Sequence, residues 1–426
     1  MATEIKQDYW SYVKRQFSNN KRALYSFYIV VFMAFVALFA DFLANEKPIY
    51  CQYKGQSYFP IFRDYGVSLG LAKWPKDLLN INWLETTFDK CIRTPIPYST
   101  TNQDFFNSGF VSPFGKQDVT SLRWRHWLGT DDIGRDITAG LIHGTRIAFI
   151  VGIISMSIAS FIGILLGAIA GFYGDDKIQL SRAAVIMGIL FFFIGWFYAF
   201  IARSFDLSDA IGDSIFSFLG QLSISLLIFF GALFIGYLLR FILKIIPFFR
   251  TKVNIPVDII VQRMIEILVS IPRLFLIIAV IAISKPGIIL IMVIIGLTSW
   301  TEIARFIRAE LLKVRNLEYI EAADALGYSR WRILFKHAIP NAIAPVLITV
   351  AFGIAAAVLI ESSLSFLGIG VPAEVVTWGK ILAKAQGSKS QLWVAIFPGI
   401  AIFLTVTLFN LIGEGLTDAL DPRQKK

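Results

Sequence analysis

Charge is scarce in this chain. Charged residues make up 16% of its 426 residues, whereas hydrophobic ones make up 56%. Soluble domains carry about 25% charged residues, so the composition excludes an ordinary water-soluble fold and points to an integral membrane protein. Histidine is limited to His126, His143 and His337, which are scattered, and neither H-E-x-x-H nor G-x-S-x-G occurs. A zincin-type metal centre and a nucleophile-elbow hydrolase therefore lack their parts. No G-x-x-x-x-G-K-[ST] stretch is present, so the chain has no P-loop to cradle ATP phosphates. The only cysteines are Cys51 and Cys91, without a C-x-x-C pair or metal cluster. Both lie in one long polar loop, where they either pair as a disulfide, if that loop faces an oxidising compartment, or stay as two thiols. The formal charge of +10 would suit nucleic acid, yet no nucleic-acid-binding module is visible. Cationic residues collect in the cytoplasmic loops of membrane proteins, so the expected partner is a lipid bilayer and not a nucleic acid.

What is present is a series of apolar runs, each of a length that suits a bilayer core about 30 Å thick. They fall at residues 23–43, 147–172, 183–201, 215–246, 264–283, 288–307, 342–367 and 392–412. The fold class is thus all-α and polytopic, with about eight membrane helices. Lys14, Arg15, Lys21 and Arg22 precede the first run and hold the N-terminus in the cytoplasm. Eight crossings return the C-terminus to the same side. Residues 1–43 form the N-terminus and first membrane helix, and 44–143 a mixed-charge, aromatic-rich loop read as a small extracytoplasmic module. Residues 144–182 carry the second helix and its cytoplasmic flank. Within 183–257 lie two apolar runs joined by a polar turn of Arg203, Asp206, Asp209 and Asp213, and closed by Lys244, Arg250 and Lys252. Residues 258–426 hold the remaining spans.

Between the sixth and seventh runs sits a charged island, 316–341, reading NLEYIEAADALGYSRWRILFKHAIPN. Asn316 is placed to cap a helix with Glu318 in its first turn. Tyr319, Ala322, Ala323 and Leu326 then share one helical face. Gly327 suits a left-handed C-terminal cap. Ser329 can cap a second helix striped by Trp331, Leu334, Phe335 and Ala338, and Pro340 marks entry into the next run. Two other charged sites stand out. Glu361 lies inside an apolar run, where an ionisable group is costly; it is either a translocation-path or gating residue, or a carboxylate bonded to neighbouring serines. Glu266 is expected to pair locally with Arg263 or with a neighbouring subunit, and Pro272 to kink its span. Asp131, Asp132, Arg135 and Asp136 are expected to pair among themselves, with Gly129 and Gly134 allowing tight turns.

The island resembles the cytoplasmic EAA loop of ABC importer permeases, through Glu321, Ala322, Ala323, Gly327, Ile339 and Pro340, with His337 as in the peptide branch. The stretch 126–152 resembles the dipeptide/oligopeptide/nickel permease family, C-type subunit, through Leu128, Gly129, Thr130, Asp131, Gly134, Arg135, Asp136, Gly144 and Arg146. So do 359–382, around Glu361, Gly368, Trp378 and Gly379, and 397–423, through Asn410, Gly413, Gly415, Asp418, Asp421, Pro422 and Arg423. The resemblance covers 126–182 and 258–423; 183–257 departs from it as an inserted membrane hairpin.

The resemblance implies a type I importer permease fold in a bacterial inner membrane. It implies a transport subunit that is not itself an enzyme and binds no cofactor, with ATP hydrolysed by partner subunits. Those partners would be two P-loop ATPases, a B-type second permease and an extracytoplasmic substrate-binding protein, and the cargo di- or oligopeptides. Tyr319, Glu321, Ala322, Ala323, Leu326 and Gly327 would couple to the ATPase, with bulk unwelcome at Gly327 and along the alanine face. The alternative is an ion-gradient-driven secondary transporter, which would work without an ATPase.

Overall fold

The computed structural model describes residues 2–79, 81–213, 215–284, 286–386 and 391–420. Asp421, Pro422 and Arg423 of the closing motif, and the Asp213 side chain, lie outside the described residues. In chain order the main helices are α1 (Ala2–Asn19), α2 (Lys21–Leu38), α3 (Pro60–Ser68), α4 (Ile137–Tyr173), α5 (Arg182–Trp196), α6 (Ser204–Asp213), α7 (Ile215–Leu243), α8 (Val257–Ser270), α9 (Arg273–Ala282), α10 (Ile288–Val314), α11 (Glu318–Ala325), α12 (Arg330–Ile333), α13 (Ala344–Phe366), α14 (Trp378–Ala383) and α15 (Leu392–Leu420). Short strands are β1 (Tyr50–Tyr53), β2 (Gln56–Tyr58), β3 (Lys90–Ile92), β4 (Gln179–Ser181) and β5 (Lys252–Asn254).

Polar caps set where several helices begin, because the first turn leaves N–H groups without partners. The Asn20 side chain accepts from the Ala23 N–H at 3.2 Å and starts α2. Asp136 accepts from the Ala139 N–H at 2.6 Å and starts α4, ten residues before the apolar run begins. At 37 residues and 1.5 Å per residue, α4 is about 55 Å long and outreaches the bilayer core. The helices α2, α4, α5 with its continuation to Ile201, α7, α10, α13 and α15 are each long and apolar enough to cross a membrane. The span expected at 264–283 differs from a single kinked helix: it is the α8–α9 pair, bent by 80°. Pro272 caps α9 and lacks the N–H that would carry the helix on.

The chain divides into two compact units, residues 1–153 with 354–426, and residues 154–353. In the first unit α2 and α1 pack along α15. Arg146 is bonded to the Ala37 carbonyl at 2.9 Å and to Asp41 at 2.7 Å. The loop module of this unit carries an antiparallel sheet in the order β2-β1-β3, backed by Leu78 and Trp83. Its register sets Cys51 directly opposite Cys91. Both are free thiols, so the disulfide alternative is not formed in this structure. Burial pushes the Cys51 thiol up to about 11.

In the second unit α4 and α10 approach closely along Gly163, Gly167 and Gly171. A Cβ at Gly167 would come within 2.2 Å of Ile307 Cγ2 and 2.5 Å of the Ala304 carbonyl oxygen. Small residues at such a seam let backbones meet where lipid removes the hydrophobic drive. Arg308 of α10 grips both carboxylate oxygens of Asp258 in α8. The α5–α7 hairpin leaves and rejoins the unit at one point. There β4 and β5 pair antiparallel, Ser181 opposite Lys252 and Gln179 opposite Asn254, and the Ile255 N–H donates to the Ile178 carbonyl at 2.9 Å.

Candidate coupling surface

The island hangs from the end of α10. Asn316 does not cap the next helix: α10 runs to Val314, Asn316 falls in the turn behind it, and its amide donates back to the Leu312 carbonyl at 3.4 Å. Leu317 takes the cap position of α11 without a side-chain bond. Glu318 and Glu321 occupy the first turn, where the helix dipole favours acids. The helix closes in a Schellman turn. Gly327 sits at φ +76°, its N–H donates to Asp324 O at 2.9 Å, and the Tyr328 N–H donates to Ala323 O at 3.2 Å. Ser329 then accepts from the Arg332 N–H at 3.4 Å and starts α12. A wider helical turn over 334–338 follows.

Of the expected face, Ala323 is buried beside Ile320, whereas Tyr319, Ala322 and Leu326 point outward and Glu321 is exposed. Leu326 is 73% exposed. In the second stripe Leu334 and Ala338 are buried, while Trp331 and Phe335 stack outside at 5.6 Å. Space around Gly327 is open, so positive φ and not crowding is what reserves that position for glycine. Ala322 is exposed as well.

The surface is held firmly from behind. The Arg315 guanidinium donates to the Gly171 carbonyl at 3.3 Å, and that of Arg330 to the Lys177 carbonyl at 3.3 Å. Trp331 meets Tyr173 at 6.0 Å. The Asn341 amide donates to the Tyr319 hydroxyl at 3.1 Å, and Tyr328 stacks on His337 and under Arg332. An apolar, partly acidic helix fixed on a polar frame is suited to receive another protein and to transmit its displacement.

The remaining sequence-based candidates lie elsewhere. Glu361 is only 1% exposed. Its carboxylate accepts from the Ser365 hydroxyl at 2.6 Å and the Ser362 hydroxyl at 3.4 Å. Arg263 and Glu266 pair at 2.6 Å on the surface. The expected local pairing is met only through the backbone: the Arg135 N–H donates to Asp131 at 2.8 Å, while among the described residues its guanidinium forms no ion pair with these aspartates. Lys384, 253 residues beyond Asp131, bonds it at 2.6 Å and also bonds Asp132. Asp136 instead meets His126 Nδ1 at 2.8 Å, and His126 Nε2 meets Asp104 at 3.2 Å. Both ring nitrogens face carboxylates, an arrangement that favours the protonated ring, in which both nitrogens donate. Burial alone would lower the His126 pKa, but bonding and charge from Asp136 and Asp104 outweigh it and raise it above 6.5. Nothing in the local sequence signals the Lys384 or His126 partners. Among the described residues, no group of three or more His, Cys, Asp or Glu is placed to hold a metal ion.

Two family models match the chain. Residues 245–426 fit the binding-protein-dependent transport system inner membrane component, and residues 8–60 the N-terminal TM domain of oligopeptide transport permease C. The chain is similar to a peptidoglycan transport system permease protein of Agrobacterium fabrum, at 27% identity over 96% of this chain and 92% of the relative. It is 30% identical to a glutathione transport system permease protein of Pectobacterium atrosepticum, over 70% of this chain and 73% of the relative. A dipeptide transport system permease protein of Alkalihalophilus pseudofirmus is 29% identical over the same shares. The EAA island, the spans around it and these matches agree: the chain belongs to the peptide/oligopeptide family of ABC importer permeases, as a multi-pass transport subunit that has no ATPase site of its own and works with ATPase and substrate-binding partners.

Proposed function

We propose that this chain brings short peptides across a bacterial cytoplasmic membrane, as one of two permease subunits served by two P-loop ATPases and an extracytoplasmic binding protein. The ATPases hydrolyse the ATP; this chain binds no cofactor. Dipeptide and glutathione, named for two of its relatives, are both short peptides, and this supports the cargo class. The observation that carries the coupling role is the outward row of Tyr319, Leu326, Trp331 and Phe335 on a frame-locked island. A partner cleft would receive α11, with Glu321 and Ala322 at the contact, Ala323 fixing the helix from behind and Gly327 ending it.

Crossing parity supports the orientation. Between the basic N-terminus and Lys177 the chain passes through two spans, α2 and α4, so Lys177 lies on the N-terminal side. The island touches Tyr173 and Lys177 and so shares that side. Of the elements between Lys177 and the island, α5, α7 and α10 make an odd number of crossings, so the bent α8–α9 pair must make another. Basic residues flank the first span on this side, which supports the cytoplasm, where ATP is.

The test is co-purification of the assembly from native membranes with Leu326→Glu and Gly327→Val. A charge in the middle of an apolar contact is expected to weaken ATPase retention roughly thirtyfold. Gly327→Val is expected to lower it by straining the turn, with the yield of monodisperse permease unchanged in both. ATPases retained by Leu326→Glu, or peptide uptake by vesicles without ATP, would overturn this reading.

A further inference from the structure

The first unit contains a cavity of about 220 Å³ where the loop before α4 meets the segment leading into α14. Its polar lining includes Arg135 and Lys380, and Val375, Val376 and Ile381 line it with apolar surface. The acids nearby are already satisfied. Asp131 is bonded by Lys384 and by the N–H groups of Ile133 and Arg135, and Asp136 by His126 and the Ala139 N–H.

Arg135 differs. Its Nε is buried without a hydrogen-bond partner, and among the described residues its guanidinium has no carboxylate within ion-pair distance. A buried guanidinium N–H without an acceptor is costly. Among the described residues the Lys380 ammonium has a single hydrogen-bond acceptor, the Pro372 carbonyl. Burial pushes its pKa down against the pull of Glu374, and the positive charge of Arg135 pushes the same way. Two cations thus share a pocket whose lining carboxylates, Asp131 and Asp136, are engaged by other groups and leave the Arg135 guanidinium without an ion pair among the described residues.

An arginine fork matches a carboxylate in shape and charge. The cavity falls below the ~300–1,000 Å³ of a pocket for a whole drug-sized ligand, and is sized for one amino-acid residue. We propose that it receives the C-terminal residue of a short peptide, with the free carboxylate on Arg135 and Lys380 and the side chain against Val375, Val376 and Ile381. The inference rests on the peptide-import reading and gives that cargo a contact on the permease. Arg135 belongs to the segment between α2 and α4, which the proposed orientation puts outside the cytoplasm, where cargo arrives. An acidic side chain of the binding protein offers the same carboxylate chemistry, and the test separates the two.

The experiment measures calorimetric binding of Ala-Ala-Leu to the whole permease assembly in lipid nanodiscs, without binding protein. Its arms are the free acid, the C-terminal amide, and the variants Arg135→Gln, Arg135→Lys and Val375→Trp. The free acid is expected to bind saturably. Amidation and Arg135→Gln should each weaken binding at least about tenfold, Arg135→Lys less, and Val375→Trp should exclude the leucine. If Arg135→Gln does not fold, Val375→Trp and the amide decide. Equal binding of acid and amide, or no saturable binding, overturns the cavity as a cargo site. ATP-driven uptake of the same peptide by the unaltered assembly keeps the importer reading in that case, whereas binding without ATP-dependent uptake would count against that reading alone.

Discussion

The inserted hairpin and the α4–α10 pair use much the same apolar alphabet and are held in different ways. The hairpin helices are more apolar than α10, yet only 11% of the most apolar stretch of each is buried, against 56% for α10. The hairpin is joined through large rings: Phe192 meets Phe229 at 5.5 Å and Phe200 meets the same ring at 6.0 Å. The α4–α10 seam is joined by glycines that bring backbones together, and α10 is tied to α8 by the Arg308–Asp258 pair. In lipid, an apolar surface gains nothing by leaving its surroundings, so shape and polar ties decide which helices form a core.

Gly167→Leu should break this contrast most sharply. Its side chain would enter the Ile307 and Ala304 backbone seam, at a cost of about 3 kcal/mol or more, and little monodisperse protein should survive purification. Gly231→Leu in α7, where a Cβ has nothing within 4 Å, should change stability by less than about 0.5 kcal/mol. Equal losses for both, read by thermal unfolding in nanodiscs, would erase the distinction. A further probe asks whether polar ties outside the membrane matter as much as glycine seams inside it. The raised His126 pKa means that its contribution is complete below pH 6.5 and is lost as pH rises through the higher folded value. Hydrogen exchange in the segment 98–136 should therefore quicken on alkalinisation, and His126→Gln should flatten that dependence. A small effect is also expected from excising residues 182–251 and joining Ser181 to Lys252 through Asn-Gly, a pair that suits a two-residue hairpin turn. Stability should move by less than about 1 kcal/mol, with ATPase co-purification kept. Collapse of the fold would show that the hairpin is part of the core.

Much of this was legible where the signal is local. The turn at Gly327 and the Ser329 cap follow from residues within four positions of each other, and the apolar runs mark the spans. The direction of a helical face was not. Periodicity places Tyr319, Ala322 and Leu326 together, but it cannot say whether a face meets its own core or a partner. The Asn316 cap failed because the preceding helix runs on and absorbs the turn. The partners of Asp131 and Asp132 were out of reach, since Lys384 lies far along the chain and nothing near either end announces the pair. Strands of three or four residues carry too short a pattern to register, so the alignment of Cys51 with Cys91 came from the structure alone.

The β4–β5 clasp closes the hairpin at its neck, so everything beyond Ser181 and before Lys252 is bracketed off from the segments on either side. A piece of chain attached in this way behaves as a cassette. It can be lengthened, decorated or dropped in a lineage without shifting the neighbours' register, and selection can act on its outward aromatic surface while the machinery behind the clasp stays as it was.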